Sequence, residues 1–502
     1  MEDRIPAKPL STPRVRAVGQ PRLTVGLDKN HRIALPRHLA LHGPLPGLPP
    51  GALVALARAA DQRGRGGAAF PFARKLLAVL ASTRPGRPPV ILVNVMEGEP
   101  GSEKDRMLTT RVPHLVLDGA ELAATALGAC EIVIGLAESS GAAIGSVEAA
   151  IKERHHSRHL PRTRVVSLPR RFVSGESGAL VRGVNGEPAL PPGRKRHATD
   201  SGVGGRPTLL SNAETFAQLA VLARLGLDAY SAVGTASEPG TILLTVGGAA
   251  GTFVVEAPAG TRLTTILGAA RAVTTGPGVL VGGYHGTWLS PEVARTLEVS
   301  RAGLARAHGM LGAGVILAIP AATCPLGEMA RVVRYLARES SGQCGPCWRG
   351  LPKIAQAATQ LASGAGDRPS VDRMRQSAAW VRGRGACGHP DGTSRFVLSA
   401  LEVFADDIEA HLANGTCGRG TLGALPIADE DTGPRLLVDW TRCDRHGLCG
   451  KVAPELVTLD HDGYPIIADS PIPARLKREA HRAVLRCPSL ALRLGPPPHQ
   501  IA

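Results

Sequence analysis

The chain has 502 residues, of which 43% are hydrophobic, so it is long enough for roughly three or four folded domains and too apolar for a disordered protein. Its net charge of +16 is scattered along the chain, and no aromatic-interleaved basic block or zinc-finger motif indicates a nucleic-acid partner. Nine cysteines without a signal peptide or a bilayer-length apolar run predict a cytoplasmic protein whose cysteines bind metals or clusters, with no direct membrane insertion.

The first 80 residues contain one short helix and one glycine-rich loop. The sequence predicts a loosely ordered leader over residues 1–35 and a helix over Gly51–Asp61. The loop Arg63–Pro71 has closely spaced glycines that let backbone N–H groups approach an anion, with Lys75 as a nearby cation. Because the loop follows a helix and not a strand, it is not a Rossmann fingerprint, and a plain glycine turn explains the loop alone equally well.

Alternating strands and helices follow from residue 90 to residue 167. Predicted strands cover Val90–Val93, Glu131–Leu136 and Arg164–Ser167, and predicted helices cover His114–Gly128 and Gly141–Glu153. This alternation predicts a mostly parallel sheet covered by helices.

Two carboxylates, Glu97 and Glu99, come directly after the strand Val90–Val93. Open α/β sheets bind ligands at the carboxyl ends of their strands, so this pair is a candidate binding element. A solvated acidic turn is the alternative interpretation of the same residues.

From residue 240 the pattern changes to short alternating runs and then to helical periods. Thr241–Val246, Thr252–Glu256 and a run from Leu263 predict a small β-rich domain that ends near residue 320. Residues 325–415 predict a bundle of four helices, namely Arg331–Leu336, Leu351–Leu361, Met374–Val381 and Val397–His411.

Cys344 and Cys347 have the spacing of ligands on one face of a metal or cluster, because the turn between them points both sulfurs the same way. Cys387 lies downstream as a third ligand. Together with His389, the three cysteines would alternatively form a Cys₃His zinc site.

The last 70 residues resemble a small bacterial ferredoxin. Cys443 and Cys449 are followed by Cys487-Pro488, and such ferredoxins use C-x₂-C-x₂-C with a distant C-P. His446 occupies the middle position of the first group, so three thiolates would hold a 3Fe–4S cluster, or His446 would bind a fourth iron. A zinc site is the alternative. The flanking segments Val438-Asp439 and Leu459–Gly463 resemble the corresponding segments of ferredoxins that serve cytochromes P450.

Several short motifs in the first 415 residues resemble motifs of the flavoprotein subunit of respiratory complex I and its soluble relatives. The stretch Glu339–Gly350 resembles the cluster motif E-S-C-G-x-C-x-P-C-R-x-G of that family, whose fourth cysteine falls where Cys387 stands. Residues 64–75 resemble G-R-G-G-A-G-F-P-T-G-x-K, and Asn94–Gly101 resembles N-A-D-E-G-E-P-G. Further along, Phe172–Leu180 resembles Y-x-x-G-E-E-x-A-L, and residues 205–215 resemble G-R-P-T and N-N-V-E-T.

The resemblance implies FMN and NAD(P)H sites in the α/β part of the chain and an iron–sulfur cluster in the helical part. The residues that it implies for cofactor binding are Gly64, Arg65, Gly66, Gly67, Phe70, Lys75, Asn94, Glu97, Gly175, Glu176, Asn212 and Thr215. The carboxylates that it implies for catalysis are Glu97, Glu99 and Glu176. The predicted metal ligands are Cys344, Cys347, Cys387, Cys443, Cys449 and Cys487, with Ser341 and His446 as further candidates.

At some positions the residue differs from the one in the family motif. Ser341 stands where the family has its first cysteine, so a 4Fe–4S cluster with a serine ligand, a 3Fe–4S cluster, zinc and a vacant site all stay open. Met96 replaces an aspartate, and Ser177 replaces a glutamate beside the flavin. Ala78 replaces the second aromatic that stacks on adenine, while Phe70 remains.

The predicted fold class is a multidomain α/β and α protein. The predicted domains are a leader (1–35), an FMN- and NADH-binding α/β domain (36–236), a ubiquitin-like β-grasp domain of the SLBB type (237–322), a four-helix iron–sulfur domain (323–415), a linker (416–433) and an α+β ferredoxin domain (434–502). The predicted function is transfer of electrons from NAD(P)H through FMN and two iron–sulfur clusters to a redox partner, either a cytochrome P450 or another oxidoreductase subunit. The alternatives are a non-catalytic electron-transfer or scaffold subunit with a decayed NADH site, and a zinc-stabilised binding protein.

Overall fold

The computed structural model describes residues 13–27, 32–154, 161–193, 197–248, 251–272, 276–427, 434–454, 456–467, 472 and 476–495. The chain divides into two units, residues 1–426 and residues 427–502. Their boundary falls inside the predicted linker 416–433, of which residues 428–433 lie outside the described part.

The described part of the first unit contains a six-stranded sheet, a four-stranded sheet and a two-stranded pair, together with α-helices. Its strands are β1 (Arg14–Ala17), β2 (Val90–Val95), β3 (Glu131–Ala137), β4 (Arg162–Leu168), β5 (Thr208–Asn212), β6 (Gly234–Thr235), β7 (Glu238–Pro239), β8 (Thr241–Gly248), β9 (Gly251–Pro258), β10 (Val279–Val281), β11 (Thr287–Leu289) and β12 (Val315–Ala318). Its α-helices are α1 (Leu35–His42), α2 (Pro50–Ala59), α3 (Phe72–Ser82), α4 (Lys104–Arg111), α5 (Pro113–Leu127), α6 (Gly141–Arg154), α7 (Ser177–Val184), α8 (Ala213–Ser231), α9 (Leu263–Ala269), α10 (Pro291–Thr296), α11 (Arg301–Arg306), α12 (Pro325–Arg338), α13 (Leu351–Ala362), α14 (Arg368–Val381), α15 (His389–Val403) and α16 (Ala405–Asn414). Short 3₁₀ turns cover Phe172–Gly175 and Val203–Gly205, and a π-turn covers Pro346–Gly350.

A parallel sheet with the strand order β4-β3-β2-β5 confirms the predicted alternation of strands and helices. The central strands β2 and β3 are apolar on both faces, because helices cover the sheet. Helix α5 packs so closely on α8 that a Cβ at Gly119 would lie 1.8 Å from the carbonyl oxygen of Phe216. Asn94 of β2 pairs in register with Asn212 of β5, so the segments after these two strands meet at one edge of the sheet.

A second, mixed sheet has the order β1-β9-β8-β12-β10-β11. The predicted strands at residues 241–246 and 252–256 are confirmed as β8 and β9. The strand predicted from Leu263 is wrong, because this segment is helix α9. Its buried Leu263, Ile266 and Leu267 follow a helical spacing, which is the signal that the short run concealed.

The prediction of a loosely ordered leader is wrong for residues 13–27. Strand β1 pairs in parallel with β9, and Leu23 is fully buried. The carboxylate of Glu256 in β9 accepts backbone N–H groups from Arg22, Leu23 and Thr24 at 2.9–3.1 Å. The anchor of this segment therefore lies more than 230 residues away along the chain, where no local pattern reveals it. Residues 1–12 and 28–31 lie outside the described residues.

The helical part contains five helices among residues 325–414, and not the predicted four. The predicted helix Val397–His411 is divided between α15 and α16, because the backbone leaves helical geometry at Phe404 (φ −105°, ψ 30°). This break directs the fully buried Phe404 ring against Trp288 of β11, with ring centroids 4.9 Å apart. The bundle is thereby packed on the mixed sheet.

The second unit is a small α+β fold. Its elements are β13 (Arg435–Val438), α17 (Leu448–Val452), β14 (Val457–Leu459), β15 (Pro465–Ile467), α18 (Lys477–Leu485) and β16 (Leu492–Gly495). The strands form two antiparallel pairs, β13 with β16 and β14 with β15. Within the described ranges of both units, no helix has the length and apolar character that crossing a membrane requires.

We expect the substitution Glu256→Ala to loosen residues 13–27 and to destabilise the first unit by roughly 3 kcal/mol, since several buried donors would lose their acceptor together. The expected result is a lower thermal midpoint and faster proteolytic cleavage near Leu23. Glu292→Ala, at an exposed glutamate of helix α10, is the control and should leave both unchanged. Equal cleavage rates in the two variants would contradict this account of the anchor.

Candidate functional site

A cleft of about 550 Å³ opens at the carboxyl ends of β2 and β5. Its wall includes ten of the predicted site residues, namely Arg65, Gly66, Gly67, Asn94, Glu97, Glu99, Gly175, Glu176, Asn212 and Cys387. Four other predicted residues, Gly64, Phe70, Lys75 and Thr215, are not among the residues that line it. The structure thus brings the glycine loop, the carboxylates after β2 and one predicted cluster cysteine into one cavity.

The glycine loop is fixed from below by the start of helix α8. The hydroxyl of Thr215 accepts the backbone N–H of Arg65 at 2.9 Å, and the Thr215 carbonyl accepts the side-chain amide of Gln62 at 2.9 Å. A Cβ at Gly66 would lie 3.3 Å from that of Asn212, and Gly67 has a positive φ of 113°. The backbone conformation therefore favours glycine at residue 67, and a side chain at residue 66 would press on Asn212 at the sheet edge.

The two predicted cations of the loop are already hydrogen-bonded within the fold. The buried Arg65 guanidinium forms an ion pair with Glu238 at 3.2 Å, so its charge is directed at that carboxylate. The ammonium of Lys75 donates to the Leu210 carbonyl at the end of β5, at 2.9 Å, and burial lowers its pKa. Phe70 is 45% exposed, so its ring remains available as a stacking surface.

Lys104 lines the cleft although the sequence pattern gave no indication of it. Its ammonium is 2% exposed and donates to the Arg65 carbonyl at 3.2 Å, to Glu214 at 2.8 Å and to Asp105 at 3.3 Å. Burial alone would lower its pKa, but Asp105 and Glu214 raise it above the usual value. Lys104 is therefore a permanent buried cation beneath the glycine loop.

Two of the three predicted catalytic carboxylates cap helices. Glu97 accepts the backbone N–H groups of Asp105 and Arg106 at 3.1 Å, at the start of α4, and the Ser102 hydroxyl at 2.6 Å. Glu176 accepts the N–H of Ala179 at 3.0 Å, at the start of α7. Both side chains are held in place by helix N-termini, which also stabilise their negative charge.

Glu99 is different, because it is buried with one oxygen unsatisfied. Its Oε2 accepts the backbone N–H of Tyr284 at 3.0 Å, while no partner in the described part of the chain reaches Oε1. Burial raises the pKa of Glu99 to about 8. At neutral pH this carboxyl group is protonated and can donate a hydrogen bond into the cleft.

Asn94 and Asn212 fix the two strand ends that frame the cleft. The Asn94 amide donates to the Gly175 carbonyl at 2.9 Å and accepts the N–H of Met96 at 2.9 Å. Asn212 accepts the N–H of Thr215 at 3.3 Å and donates to Asp105. Both amides therefore act as positioning groups for neighbouring loops.

An aromatic stack closes the side of the cleft near the helical bundle. Phe172 packs edge-to-face on His285, with centroids 4.7 Å apart, and His285 Nε2 lies 3.0 Å from His389 Nδ1. His389 Nε2 in turn lies 2.8 Å from the Leu336 carbonyl, to which it donates. Both ring nitrogens of His389 therefore have partners outside the cysteine group, and the Cys₃His zinc site considered from the sequence is wrong.

The three cysteines of the bundle lie close to one another. Cys344 and Ser340 lie near enough to Cys347 to influence its pKa, and Cys387 interacts electrostatically with both Cys344 and Cys347. Burial, with Cys344 and Cys387, raises the pKa of Cys347 to about 12, so holding these groups as thiolates requires a positively charged centre. Ser341, at the motif position of the first cysteine, is half-buried.

The second unit gathers its three cysteines in the same way. Cys443, Cys449 and Cys487 line one recess together with His446. Burial raises the pKa of Cys487, but N–H donors from Ala491, Leu492 and the Ser489 region outweigh it and lower the pKa overall. Backbone N–H groups directed at a cysteine sulfur are a usual surrounding for iron–sulfur ligands.

These surroundings fit the cofactors that the sequence implies. The cavity volume is in the range of cofactor sites, the glycines at its wall leave room for a close approach, and Oε1 of Glu99 offers an unpaired polar group. In both cysteine groups, the sulfur atoms lie near backbone N–H donors and near other thiols. Such surroundings favour thiolates bound to a cluster over free neutral thiols.

Comparison with known proteins gives three family matches. Residues 57–221 match the Nuo51 FMN-binding domain, and residues 327–411 match the iron–sulfur binding region of NADH-ubiquinone oxidoreductase-F. Residues 436–494 match a 4Fe–4S single cluster domain. The prediction of FMN and iron–sulfur cofactors is confirmed by these matches, whereas the link to cytochrome P450 receives no support from them.

Several relatives that match about three quarters of the chain are NADH- or NADP-linked enzymes by name. The chain is 27% identical over 384 residues to the F 2 subunit of NADH-quinone oxidoreductase of Rhizobium meliloti, covering 73% of this chain and 90% of that protein. It is 24% identical to the NADP-reducing hydrogenase subunit HndC of Solidesulfovibrio fructosivorans, covering 81% and 83%. Among solved structures, an NAD⁺-reducing [NiFe]-hydrogenase chain superimposes with a TM-score of 0.66 at 28% identity, covering 72% of this chain. The present chain spans 62% of that hydrogenase chain's length.

The fold, the cleft and the family matches define an oxidoreductase of the flavin and iron–sulfur class. More particularly, the chain is similar to the F-type subunits of NADH-quinone oxidoreductases and continues into a 4Fe–4S single cluster domain.

We expect the stability of the first unit to depend on pH through Glu99. Its pKa is raised from 4.5 to about 8 on folding, so the folded state binds more protons than the unfolded chain in this range and stability falls as pH rises through it. In Glu99→Gln the group stays neutral, so the thermal midpoint of the variant should rise relative to wild type from about pH 5 to 9. The exposed Glu148→Gln should show no such trend, and a pH-independent offset in Glu99→Gln would contradict the raised pKa.

Proposed function

We propose that the chain oxidises NADH at an FMN held in the cleft and transfers the electrons to two iron–sulfur clusters. The first cluster is held by Cys344, Cys347 and Cys387, and the second by Cys443, Cys449 and Cys487. When bound, FMN supplies a group that accepts two electrons from a nicotinamide and releases them one at a time. The observation that supports this most is that Cys387 lines the same cavity as the glycine loop and Glu99.

The residues of the cleft would act mainly by binding and positioning. The backbone of Gly66 and Gly67 would lie against the cofactor, with the Lys104 charge beneath it. The protonated Glu99 would donate a hydrogen bond towards a polar ring atom or hold a proton there. The Phe172–His285 stack would shield the side that faces Cys387 from water.

The electron acceptor is proposed to be a protein that docks near the second cluster. A further oxidoreductase subunit is favoured, because the related proteins are named as subunits of larger enzymes. The resemblance of Val438-Asp439 and of residues 459–463 to P450-type ferredoxins makes a cytochrome P450 the other acceptor to test. The finer division of the first unit at residues 236, 322 and 415 also remains our proposal.

A second candidate function is electron transfer without NADH oxidation. Met96 lines the cleft and is 8% exposed, and it stands where the family motif has an aspartate. Ser177 also lines the cleft and stands where the motif has a glutamate. Ala78 lies where a second adenine-stacking aromatic would be. A flavin would still fit this cleft, but a nicotinamide would lose several of its expected contacts.

Anaerobically purified protein is expected to contain FMN and iron, and NADH is expected to bleach the flavin absorbance. The variant Gly66→Val should bind FMN at least ~10-fold more weakly, equivalent to about 1.4 kcal/mol, because the side chain enters the cleft against Asn212. Gly47→Ala, at an exposed glycine with nothing within 4 Å of its added Cβ, is the matched control.

Flavin that dithionite reduces and NADH does not would favour the second candidate. Colourless protein that contains zinc in place of iron at the six cysteines would rule out both electron-transfer functions.

Restoring the missing cysteine should change the first cluster. In Ser341→Cys we expect the EPR signal of an oxidised three-iron cluster to be replaced by that of a reduced four-iron cluster, since a fourth thiolate becomes available. Ser363→Cys, at an exposed serine after α13, is the control and should leave the spectrum unchanged. Identical spectra in wild type and Ser341→Cys would mean that Ser341 does not occupy a ligand position.

A further inference from the structure

A second group of potential metal ligands lies in the helical bundle, away from the cysteines discussed above. It consists of Cys324, His411 and Cys417, whose ligand atoms all lie within 4.8 Å of one another. Cys324 and His411 are 3% and 4% exposed, and Cys417 is half-buried. Cys324 and Cys417 lie outside the segment matched by the iron–sulfur binding region, residues 327–411, and no cluster motif includes them.

The orientation of His411 leaves one nitrogen free to bind a metal. Its Nδ1 lies 3.1 Å from the Leu361 carbonyl, which can only accept, so Nδ1 carries the hydrogen. In the neutral ring, Nε2 therefore presents a lone pair, and it points at the sulfur of Cys324, 3.4 Å away. A metal-binding histidine usually donates its other N–H to a carbonyl or carboxylate in this way.

Cys324 is also placed as a thiolate would be. It is the N-cap of the 14-residue helix α12, where its sulfur accepts the N–H of Gly327 at 3.4 Å. Burial raises the pKa of Cys324, and the backbone N–H groups of Gly327 and Leu326 at the helix N-terminus act against that rise, so they would support the thiolate once a cation is bound. Cys417 approaches the same sulfur from the segment that follows α16.

We propose that Cys324, His411 and Cys417 bind one zinc ion, with water as the fourth ligand. Two thiolates and one imidazole at this separation match tetrahedral zinc, since ligands about 2.3 Å from one ion lie about 4 Å from each other. On binding, the two thiols release their protons to solvent and no electrons are exchanged. The ion has a structural role and takes no part in the electron path.

The ion would close the two ends of the helical bundle on each other. Cys324 starts the first helix, and Cys417 belongs to the chain that leaves the last one. The same join is made by hydrogen bonds, including the Cys324 N–H to the Gly420 carbonyl at 2.8 Å. Nearby, the carboxylate of Glu328 accepts the N–H groups of Ala424 and Leu425 at 2.9 and 3.2 Å. Zinc would therefore reinforce the start of the segment that connects the two units.

The test is a comparison of metal content in the full-length chain purified anaerobically from zinc-supplemented cells. Wild type and Cys130→Ser, a change at an exposed cysteine, should contain about one more zinc per chain than Cys417→Ser and His411→Gln. Iron and flavin contents should be the same in all four proteins, which separates this result from the proposed electron transfer. Zinc-edge X-ray absorption of wild type should show two sulfur neighbours and one nitrogen neighbour.

A measurement on wild type alone guards against variants that fail to fold. Cobalt added after chelation should give thiolate-to-cobalt absorption, and zinc should abolish it. Chelation should also speed amide exchange in residues 416–426. Equal zinc in wild type and Cys417→Ser, absence of the cobalt bands, or a Cys324–Cys417 disulfide in freshly lysed cells would each overturn the proposal.

Discussion

The cleft depends on a single buried ammonium group, that of Lys104. It bonds to the glycine loop through the Arg65 carbonyl, to α4 through Asp105 and to α8 through Glu214. The other oxygen of Glu214 accepts the N–H of Leu243 at 3.0 Å, which brings strand β8 of the mixed sheet into the same network. Breaking a buried pair of this kind by removing one partner typically costs about 3–5 kcal/mol, because the remaining charge is left uncompensated. The glycine loop, both sheets and two helices are thus held in register by buried charges.

This network also explains how a cleft rich in carboxylates could accept an anionic cofactor. The charges of Asp105 and Glu214 are balanced by Lys104, and that of Glu97 is stabilised by the N-terminus of α4. Glu99 is protonated at neutral pH because its site is buried. The negative charge that faces a ligand is therefore much smaller than the count of acidic residues suggests. The raised pKa of Glu99, about 8, places the release of its proton close to the physiological pH range.

The sequence predicted those parts of the fold that rest on local patterns. Strands β2, β3 and β4 and helices α5 and α6 were found from their hydrophobic runs, and β8 and β9 from their alternation. The parts that were wrong are set by distant partners. Strand β1 exists because of β9, and the break at Phe404 exists because of Trp288. The same holds for the residues of the site. Sequence motifs indicated the glycine loop and Glu99, whereas Lys104 is held in position by Glu214, 110 residues away.

The distances between ligand atoms distinguish two kinds of metal site within the helical bundle. Among the described residues, Cys324, His411 and Cys417 are the group of ligands close enough to share one ion, and Cys344, Cys347 and Cys387 do not meet that distance together. A cluster of several irons holds its thiolates farther apart than a single ion does, so the wider set suits a cluster and the tighter set suits zinc. The wider set lies beside the cleft through Cys387, where electrons would arrive. The tighter set lies at the ends of the bundle, where a redox-inactive ion can hold the chain without offering electrons a second route.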